Sequence, residues 1–316
     1  MKGVQEAIEK KEGPCVILAG AGTGKTHAIV EKIKYLIENK VYDSEKIVCI
    51  TFSNEAANNL LLRVQKALHL LAGKEPIIKT FHAFSAEVLR KDGENIGIGK
   101  DFKILDPDQA MVILHRNLKV HVNYCQKYIS TIGTAKDLGI TLDDFRAFME
   151  RKIKEYGNID LVKRLENINF ELATLHLRQS PMKKKFLVDE IKALRRVLEM
   201  KKFVSAWNAY EKMKVKGRYQ DYSDLNANVL LLLEKFPEIA QKYSYIIVDE
   251  FQDTNKLQLD FLIKLAPHHN ITVVGDMNQS IYRFRGAYSK NISLFKKAFG
   301  VLDSDIFALS QSYRSP

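Results

Sequence analysis

The sequence predicts an α/β protein, a parallel sheet flanked by helices that is interrupted by an all-helical insertion. Three observations predict it. Short apolar, β-branched runs alternate with helical periodicity at both ends of the chain. A glycine-rich loop, Ala19-Gly20-Ala21-Gly22-Thr23-Gly24-Lys25-Thr26, separates the first such run from the first long helix. From about residue 92 to 219 the strand signals stop, over a stretch too long to be a loop. At 316 residues the chain is long enough for two domains. The expected boundaries are 1–91 and 220–316 for the two parts of the α/β domain, with 92–219 as the insertion.

The opening residues read as a short helix with Val4 and Ile8 on one side, ending before Gly13-Pro14. Cys15 to Leu18 is the first strand, and Ile29, Ile33, Leu36 and Ile37 mark one face of the helix after the loop. Lys46 to Phe52 is a second buried strand, followed by a helix capped at Ser53 or Asn54 that runs through Leu60 and Val64. Ile77 to Phe81 is a third strand, and a helix runs from His82 to about Lys91. In the insertion, Asp106-Pro107-Asp108 and Thr141-Leu142-Asp143-Asp144 each start a helix. Phe186 to Met200 and Phe203 to Met213 also have helical spacing, with Trp207, the single tryptophan, as a packing residue. Strands return at Tyr245 to Val248, Ile271 to Val274 and Asp305 to Leu309. Polar groups follow each strand, where parallel sheets form their ligand crevice.

Composition narrows the function classes. Charged residues at 28% and hydrophobic ones at 46% suit a globular chain. The longest apolar runs are far too short to span a membrane, and no signal segment opens the chain, so a cytoplasmic protein is expected. Three widely spaced cysteines, Cys15, Cys49 and Cys125, argue against a disulfide framework or a zinc site. The net charge is +11. Residues 111–220 hold 23 Lys/Arg against 12 Asp/Glu, leaving 26 of each elsewhere, so the whole excess sits in the middle third of the chain. That is either a solvated helical surface or a footprint for a polyanion.

The loop at 19–26 has the context of a phosphate-binding P-loop: strand, glycines, then Lys-Thr opening a helix. Backbone N–H groups of Ala21, Gly22, Thr23 and Gly24 converge on a phosphate, Lys25 adds a full charge, and the Thr26 hydroxyl offers a ligand to Mg²⁺. A plain glycine-rich turn does not explain Lys-Thr at that point. The pattern asks for Gly where Ala19 stands, a position another tiny residue fills. The strand ending in Val248-Asp249-Glu250 supplies the second requirement of nucleoside triphosphate hydrolysis. Asp249 is the candidate second metal contact and Glu250 the candidate base for the attacking water. The alternative is an acidic helix cap.

A series of motifs in order resembles the UvrD/PcrA/Rep family of superfamily-one DNA helicases and translocases. It comprises Gln5, the P-loop, Thr51-Phe52-Ser53-Asn54-Glu55-Ala56-Ala57, Thr80-Phe81-His82-Ala83-Phe84 and Asp221-Tyr222-Ser223-Asp224-Leu225. It continues with Val248-Asp249-Glu250-Phe251-Gln252-Asp253-Thr254, a long run from Val274-Gly275-Asp276 to Gly286-Ala287, and Gln311-Ser312-Tyr313-Arg314-Ser315. The resemblance covers the α/β parts from end to end, while the insertion matches only in position and length.

The resemblance implies a RecA-like domain using ATP and Mg²⁺ on DNA, single-stranded with a duplex junction. It implies that Gln5 reads the adenine edge, Tyr313 stacks on the base and Arg314 reaches the γ-phosphate, with Gln279 as γ-phosphate sensor. Phe52, Tyr282 and Phe284 are implied to stack on DNA bases, with Phe81, His82 and Arg285 along the strand. For Phe52 and Phe81 a core role stays open, since aromatics after strands are often core. Phe284 stands where the family usually has Trp, Glu55 where it often has Lys, and the usual Leu-Asn ahead of Gln5 is replaced by Gly3-Val4. The family's second RecA-like domain is expected beyond Pro316, and with it 3′-to-5′ unwinding that this chain alone does not perform. The rivals are the motor part of a helicase–nuclease subunit and a non-catalytic, ATP-dependent DNA-binding module.

Overall fold

In the computed structural model, residues 3–20, 22–68, 74–118, 121–157, 160–174, 181–276 and 291–309 are described. They fall into two compact units. The first comprises 1–104, 136–139 and 220–316, and the second 105–135 and 140–219.

The first unit begins with α1 (Val4–Glu9), β1 (Cys15–Ala19), α2 (Lys25–Glu38), β2 (Ile47–Thr51), α3 (Asn54–Leu68), β3 (Ile77–Thr80) and α4 (Phe81–Asp92). Two short strands, β4 (Lys103–Leu105) and β5 (Tyr219–Asp221), stand where the chain crosses between units. The unit resumes with α10 (Tyr222–Lys235), β6 (Tyr245–Val248), α11 (Lys256–Leu265), β7 (Ile271–Gly275), α12 (Asn291–Phe299) and β8 (Ile306–Leu309). Six strands pair in the order β3-β2-β6-β7-β1-β8, and every pairing is parallel. All six C-terminal ends therefore lie along one edge, which is the edge that carries the motifs.

The strands read as continuous apolar runs because both faces of the sheet are covered. Val16, Val48, Ile246 and Val273 enter one core, with Phe84, Val229, Phe261 and Phe295 from the helices on that side. Their neighbours Ile17, Cys49, Ile247 and Val274 point the other way, into a second core with Ala7, Ile33, Leu36 and Leu60. This period-2 alternation between two buried layers fixes the register. Each fully buried side chain contributes about 1.5–3 kcal/mol, so a one-residue slip is costly.

The second unit contains α5 (Pro107–Leu118), α6 (Val122–Asp137) up to Ala135, α7 (Leu142–Lys154), α8 (Leu161–Thr174) and α9 (Pro181–Gly217). One of its cores gathers Leu114, Cys125, Ile132, Phe203, Trp207 and Tyr210, and another gathers Leu161, Ile168, Leu187, Ile191 and Leu194. Thr141 caps α7 in a reciprocal box with Asp144.

The structure differs from the sequence expectation at three places. Residues 92–104 belong to the α/β unit, not to the insertion, because Phe102 is buried in its core and Ile96, Ile98 and Ile104 pack against it. The two helices expected at 186–200 and 203–213 are one helix, α9, of 37 residues. Lys201-Lys202 interrupts the apolar face, but without Gly or Pro nothing interrupts the backbone. Phe81 opens α4 instead of ending β3, because the Thr80 hydroxyl accepts a hydrogen bond from Ala83 N and caps the helix.

Candidate nucleotide and nucleic-acid site

The P-loop is shaped by its glycines. Gly22 and Gly24 take φ of 77° and 89°, a region in which a Cβ is strained. Gly24 is also the N-cap of α2 and has no side chain with which to cap it. The caps of α4, α10 and α11, by contrast, are filled by Thr80, Asp221 and Asn255. Among the described residues no side chain caps the first N–H groups of α2, and the helix dipole favours an anion there. Thr23 donates its hydroxyl to the Gly20 carbonyl at 2.9 Å and closes the turn. Thr26 stands in the first turn of α2.

Across from the P-loop the ends of β6 and β7 supply carboxylates. Lys25 Nζ donates to Glu250 Oε2 at 2.6 Å. Gln252 Nε2 donates to the same oxygen at 2.7 Å, while Gln252 Oε1 accepts from Asp276 N at 3.1 Å. Glu250 sits at φ 49°, ψ 43°, a left-handed conformation uncommon for a residue with a Cβ. Burial, then the neighbouring Glu250 charge, pushes the Asp249 carboxyl up to about 6. A carboxylate in that state favours a cation beside it. The Asp249 carboxylate and the Thr26 hydroxyl are both oxygen donors, the ligand type that Mg²⁺ prefers. Among the described residues no cluster of three or more His, Cys, Asp or Glu side chains forms a self-contained metal site. A metal here would need ligands from the phosphates as well.

A cavity of about 550 Å³ adjoins the loop and is lined by Gln5, Thr23, Gly24, His27, Tyr35 and Leu309 among others. Gln5 is exposed and donates to Glu9 Oε1 at 2.5 Å. The helix that carries Gln5 is anchored from below. Lys32, fully buried on α2, donates to the Ala7 carbonyl at 2.7 Å and to the Lys10 carbonyl. Its cation also lies 5.4 Å from the Tyr245 ring centroid, and burial holds its pKa down to about 8. Lys10 in turn pairs with Asp305 at 2.5 Å, just ahead of β8.

Sequence comparison agrees with this geometry. Residues 2–300 match the family model described as UvrD/REP helicase N-terminal domain. The chain belongs to the UvrD/REP helicase family. Among its relatives, the ATP-dependent DNA helicase Rep of Buchnera aphidicola from Acyrthosiphon pisum is 33% identical over 98% of this chain and 42% of its own length. A probable DNA helicase II homolog of Mycoplasma capricolum is 33% identical over 98% of this chain and 38% of its own. The ATP-dependent DNA helicase PcrA of Staphylococcus aureus is 31% identical over 98% and 37%. The chain therefore spans about two fifths of the length of these relatives.

The described residues of the remaining UvrD/REP motifs differ in exposure. Phe52, after β2, is 38% exposed. Phe81 is only 6% exposed and packs edge-on to Phe261 with centroids 6.1 Å apart, so its ring belongs to the core rather than to a stacking face. His82 is half-buried and stacks on Tyr222 at 4.8 Å and 26°. Burial lowers its pKa to about 4, partly offset by Asp221, so at neutral pH it carries no charge. Tyr222 belongs to the Asp221–Leu225 motif, whose carboxylates form a capping box on α10. Lys136 bridges the same pair, at 2.9 Å to Asp221 and 2.7 Å to Asp224. Ala21, Gln279, Tyr282, Phe284, Arg285, Tyr313 and Arg314 lie outside the described residues.

The sequence reading named no role for Gln252, Asp276, His27, Lys32 or Tyr222. Gln252 and Asp276 stand inside quoted motifs, so their signal was present. Lys32 also had one: it lies three residues after Ile29 and four before Leu36, on the apolar face where a lysine is out of place.

Proposed function

We propose that this chain is the N-terminal motor half of an ATP-dependent 3′-to-5′ DNA helicase or translocase. The observation that carries this reading is the Lys25–Glu250–Gln252–Asp276 chain of contacts, which joins the P-loop to the ends of β6 and β7. In the proposal Lys25 leaves Glu250 for the β- and γ-phosphates when ATP arrives. Glu250, still held by Gln252, is then free to take a proton from the attacking water. Thr26 and Asp249 would hold Mg²⁺, which would supply neutralisation of the phosphate charge. Gln5, with His27 across the same cavity, faces the adenine, and Tyr313 and Arg314 complete the site. Gln279 follows Asp276 by three residues and precedes Tyr282 by three, so one segment links the phosphate end to the DNA-facing end. Phe52, Tyr282, Phe284 and Arg285 contact single-stranded DNA, His82 joins them as an uncharged contact, and Phe81 supports them from the core. A motor stroke needs a second domain closing over the nucleotide. The reading assigns that domain to sequence outside residues 1–316, supported by relatives more than twice as long as the matched stretch.

The test is equilibrium binding of a fluorescent ATP analogue and of oligothymidylate to this chain, followed by strand-separation assays. The expected result is ATP binding that requires Lys25, weak DNA binding, little hydrolysis and no unwinding. ATP binding that survives Lys25→Ala unchanged refutes the nucleotide site, and robust unwinding by the chain alone refutes the half-motor reading.

A further inference from the structure

The helical unit holds a groove that the motor chemistry does not use. It has a volume of about 1320 Å³ and lies between α6, α7 and the middle of α9. That exceeds the roughly 300–1,000 Å³ of ordinary small-molecule sites, and it suits a length of polymer. Its floor is aromatic. Phe145 packs on Phe203 at 5.1 Å and on Trp207 at 6.2 Å, and both of those rings are buried. Above this floor the rings stay open: Tyr124 is 57% exposed and Phe148 41%. Tyr124 lies 6.5 Å from Tyr128, and Phe148 lies 6.3 Å from Phe145. Rings that served only to fill a core would be buried like Trp207.

The rim is basic. Lys127, Arg196, Lys201 and Lys202 border the groove, all exposed, and none makes an ion pair among the described residues. Lys152 is paired with Glu155 at 2.7 Å, and the other acidic group lining the groove is Glu199. Exposed flat rings between unpaired cations are what unpaired nucleic-acid bases and their phosphates require. The surplus of Lys/Arg over residues 111–220 points the same way.

We propose that this groove is a binding site for unpaired bases of a single-stranded nucleic acid, with Tyr124 and Phe148 as stacking platforms and Lys127 and Arg196 as phosphate contacts. The proposal rests on the reading of the chain as a DNA motor only for where the strand comes from; the groove itself is defined by its own residues.

The test measures binding of a fluorescein-labelled oligothymidylate of about 16 nucleotides, and of an abasic strand of equal length, to the 316-residue chain. Tyr124→Ala with Phe148→Ala is expected to weaken oligothymidylate binding by roughly tenfold or more and to leave abasic binding unchanged. Lys127→Glu with Arg196→Glu is expected to weaken both strands and to lower the slope of log affinity against log salt by about 1.4. If the alanine pair loses helical signal, Phe148→Leu keeps the bulk without the ring, and the same base-specific loss is expected. Unchanged oligothymidylate affinity in the ring variants overturns the site, as does equal loss on both strands. A polyglutamate peptide that binds more tightly than oligothymidylate assigns the groove to a protein partner and overturns it too. The two readings fail separately. Groove-dependent binding without ATP binding at Lys25 sinks the motor, whereas normal ATP binding with indifferent groove variants sinks the groove.

Discussion

The sheet edge of one unit and the groove of the other treat charge in opposite ways. In the α/β unit the charged and polar groups at the sheet edge are bonded to one another: Lys25 to Glu250, Glu250 to Gln252, Gln252 to Asp276, Lys136 to two aspartates. In the helical unit Lys127, Arg196, Lys201 and Lys202 stand around an aromatic groove with no carboxylate bound to any of them among the described residues. The difference is what the two proposed roles would require. A phosphoryl-transfer site needs groups held within fractions of an ångström, so its side chains are locked by partners on rigid strand ends. A polymer of variable sequence needs exposed rings and cations that tolerate many poses.

The largest effect that would break this contrast is at Lys25. Lys25→Ala is expected to weaken ATP binding roughly 10- to 100-fold, since a charge-assisted bond contributes about 1.5–3 kcal/mol. Glu250→Gln is expected to leave ATP binding equal or tighter, because it releases Lys25 from its 2.6 Å partner. A fluorescence titration reads both. If Glu250→Gln weakens binding as much as Lys25→Ala, the pair is structural and the edge is not the preorganised site described here.

Next in size is Gly275. A Cβ there lies 2.3 Å from Gln252 Oε1 and 3.3 Å from Phe251 N. Gly275→Ala must therefore displace Gln252, which ties Glu250 to the end of β7. The expected cost is about 1–3 kcal/mol of overpacking, read calorimetrically as a Tm lower by several degrees. The helical unit has no equivalent constraint around its groove, so Ser205→Ala on the groove wall is expected to leave Tm within about one degree. A stable Gly275→Ala chain would show that the Gln252 link is dispensable.

Legibility follows the same division. The strands of the α/β unit announce themselves because both faces are buried, so Val16-Ile17 or Ile246-Ile247 read as unbroken apolar runs. The P-loop and the Asp249-Glu250 end were legible because their chemistry is local in sequence. What stayed hidden depends on partners far along the chain. Nothing near Phe102 says that it packs in the α/β core, and nothing near Gln252 says that it bridges Glu250 and Asp276. In the helical unit, apolar periodicity marked helices but not where they join, because Lys201-Lys202 looks like a break in the pattern and is a turn of α9 at the groove rim.

Lys32 tests whether locking extends to the adenine side. Lys32→Met leaves the Ala7 and Lys10 carbonyls without their donor but also removes a buried charge, so a net loss of about 1 kcal/mol is expected. It should be local. Hydrogen exchange is expected to speed roughly fivefold in residues 4–10 while the amides of β1 and β6 keep their protection. Uniformly faster exchange would mean that Lys32 supports the whole core and not α1 in particular.

The effect confined to the narrowest conditions concerns His82, since it appears only in acid, and it sharpens the contrast between paired and unpaired charge most directly. Its folded pKa of about 4 lies below the 6.5 of an exposed histidine. Between those values the unfolded chain binds the proton and the folded chain does not, so stability falls as pH drops from 6.5 towards 4. The stability difference between the unchanged chain and His82→Phe, measured by urea denaturation, should therefore shift against the unchanged chain across that window and stay flat above pH 7. Oligothymidylate binding should show no step near pH 6.5 attributable to His82, because an imidazole packed on Tyr222 contributes no cation to a phosphate. The same titration repeated against salt should respond steeply wherever Lys127 and Arg196 carry the contact. A binding step near pH 6.5 that disappears in His82→Phe would put an ionised histidine on the strand, and with it an unpaired charge beside the edge where Lys25 and Glu250 are paired.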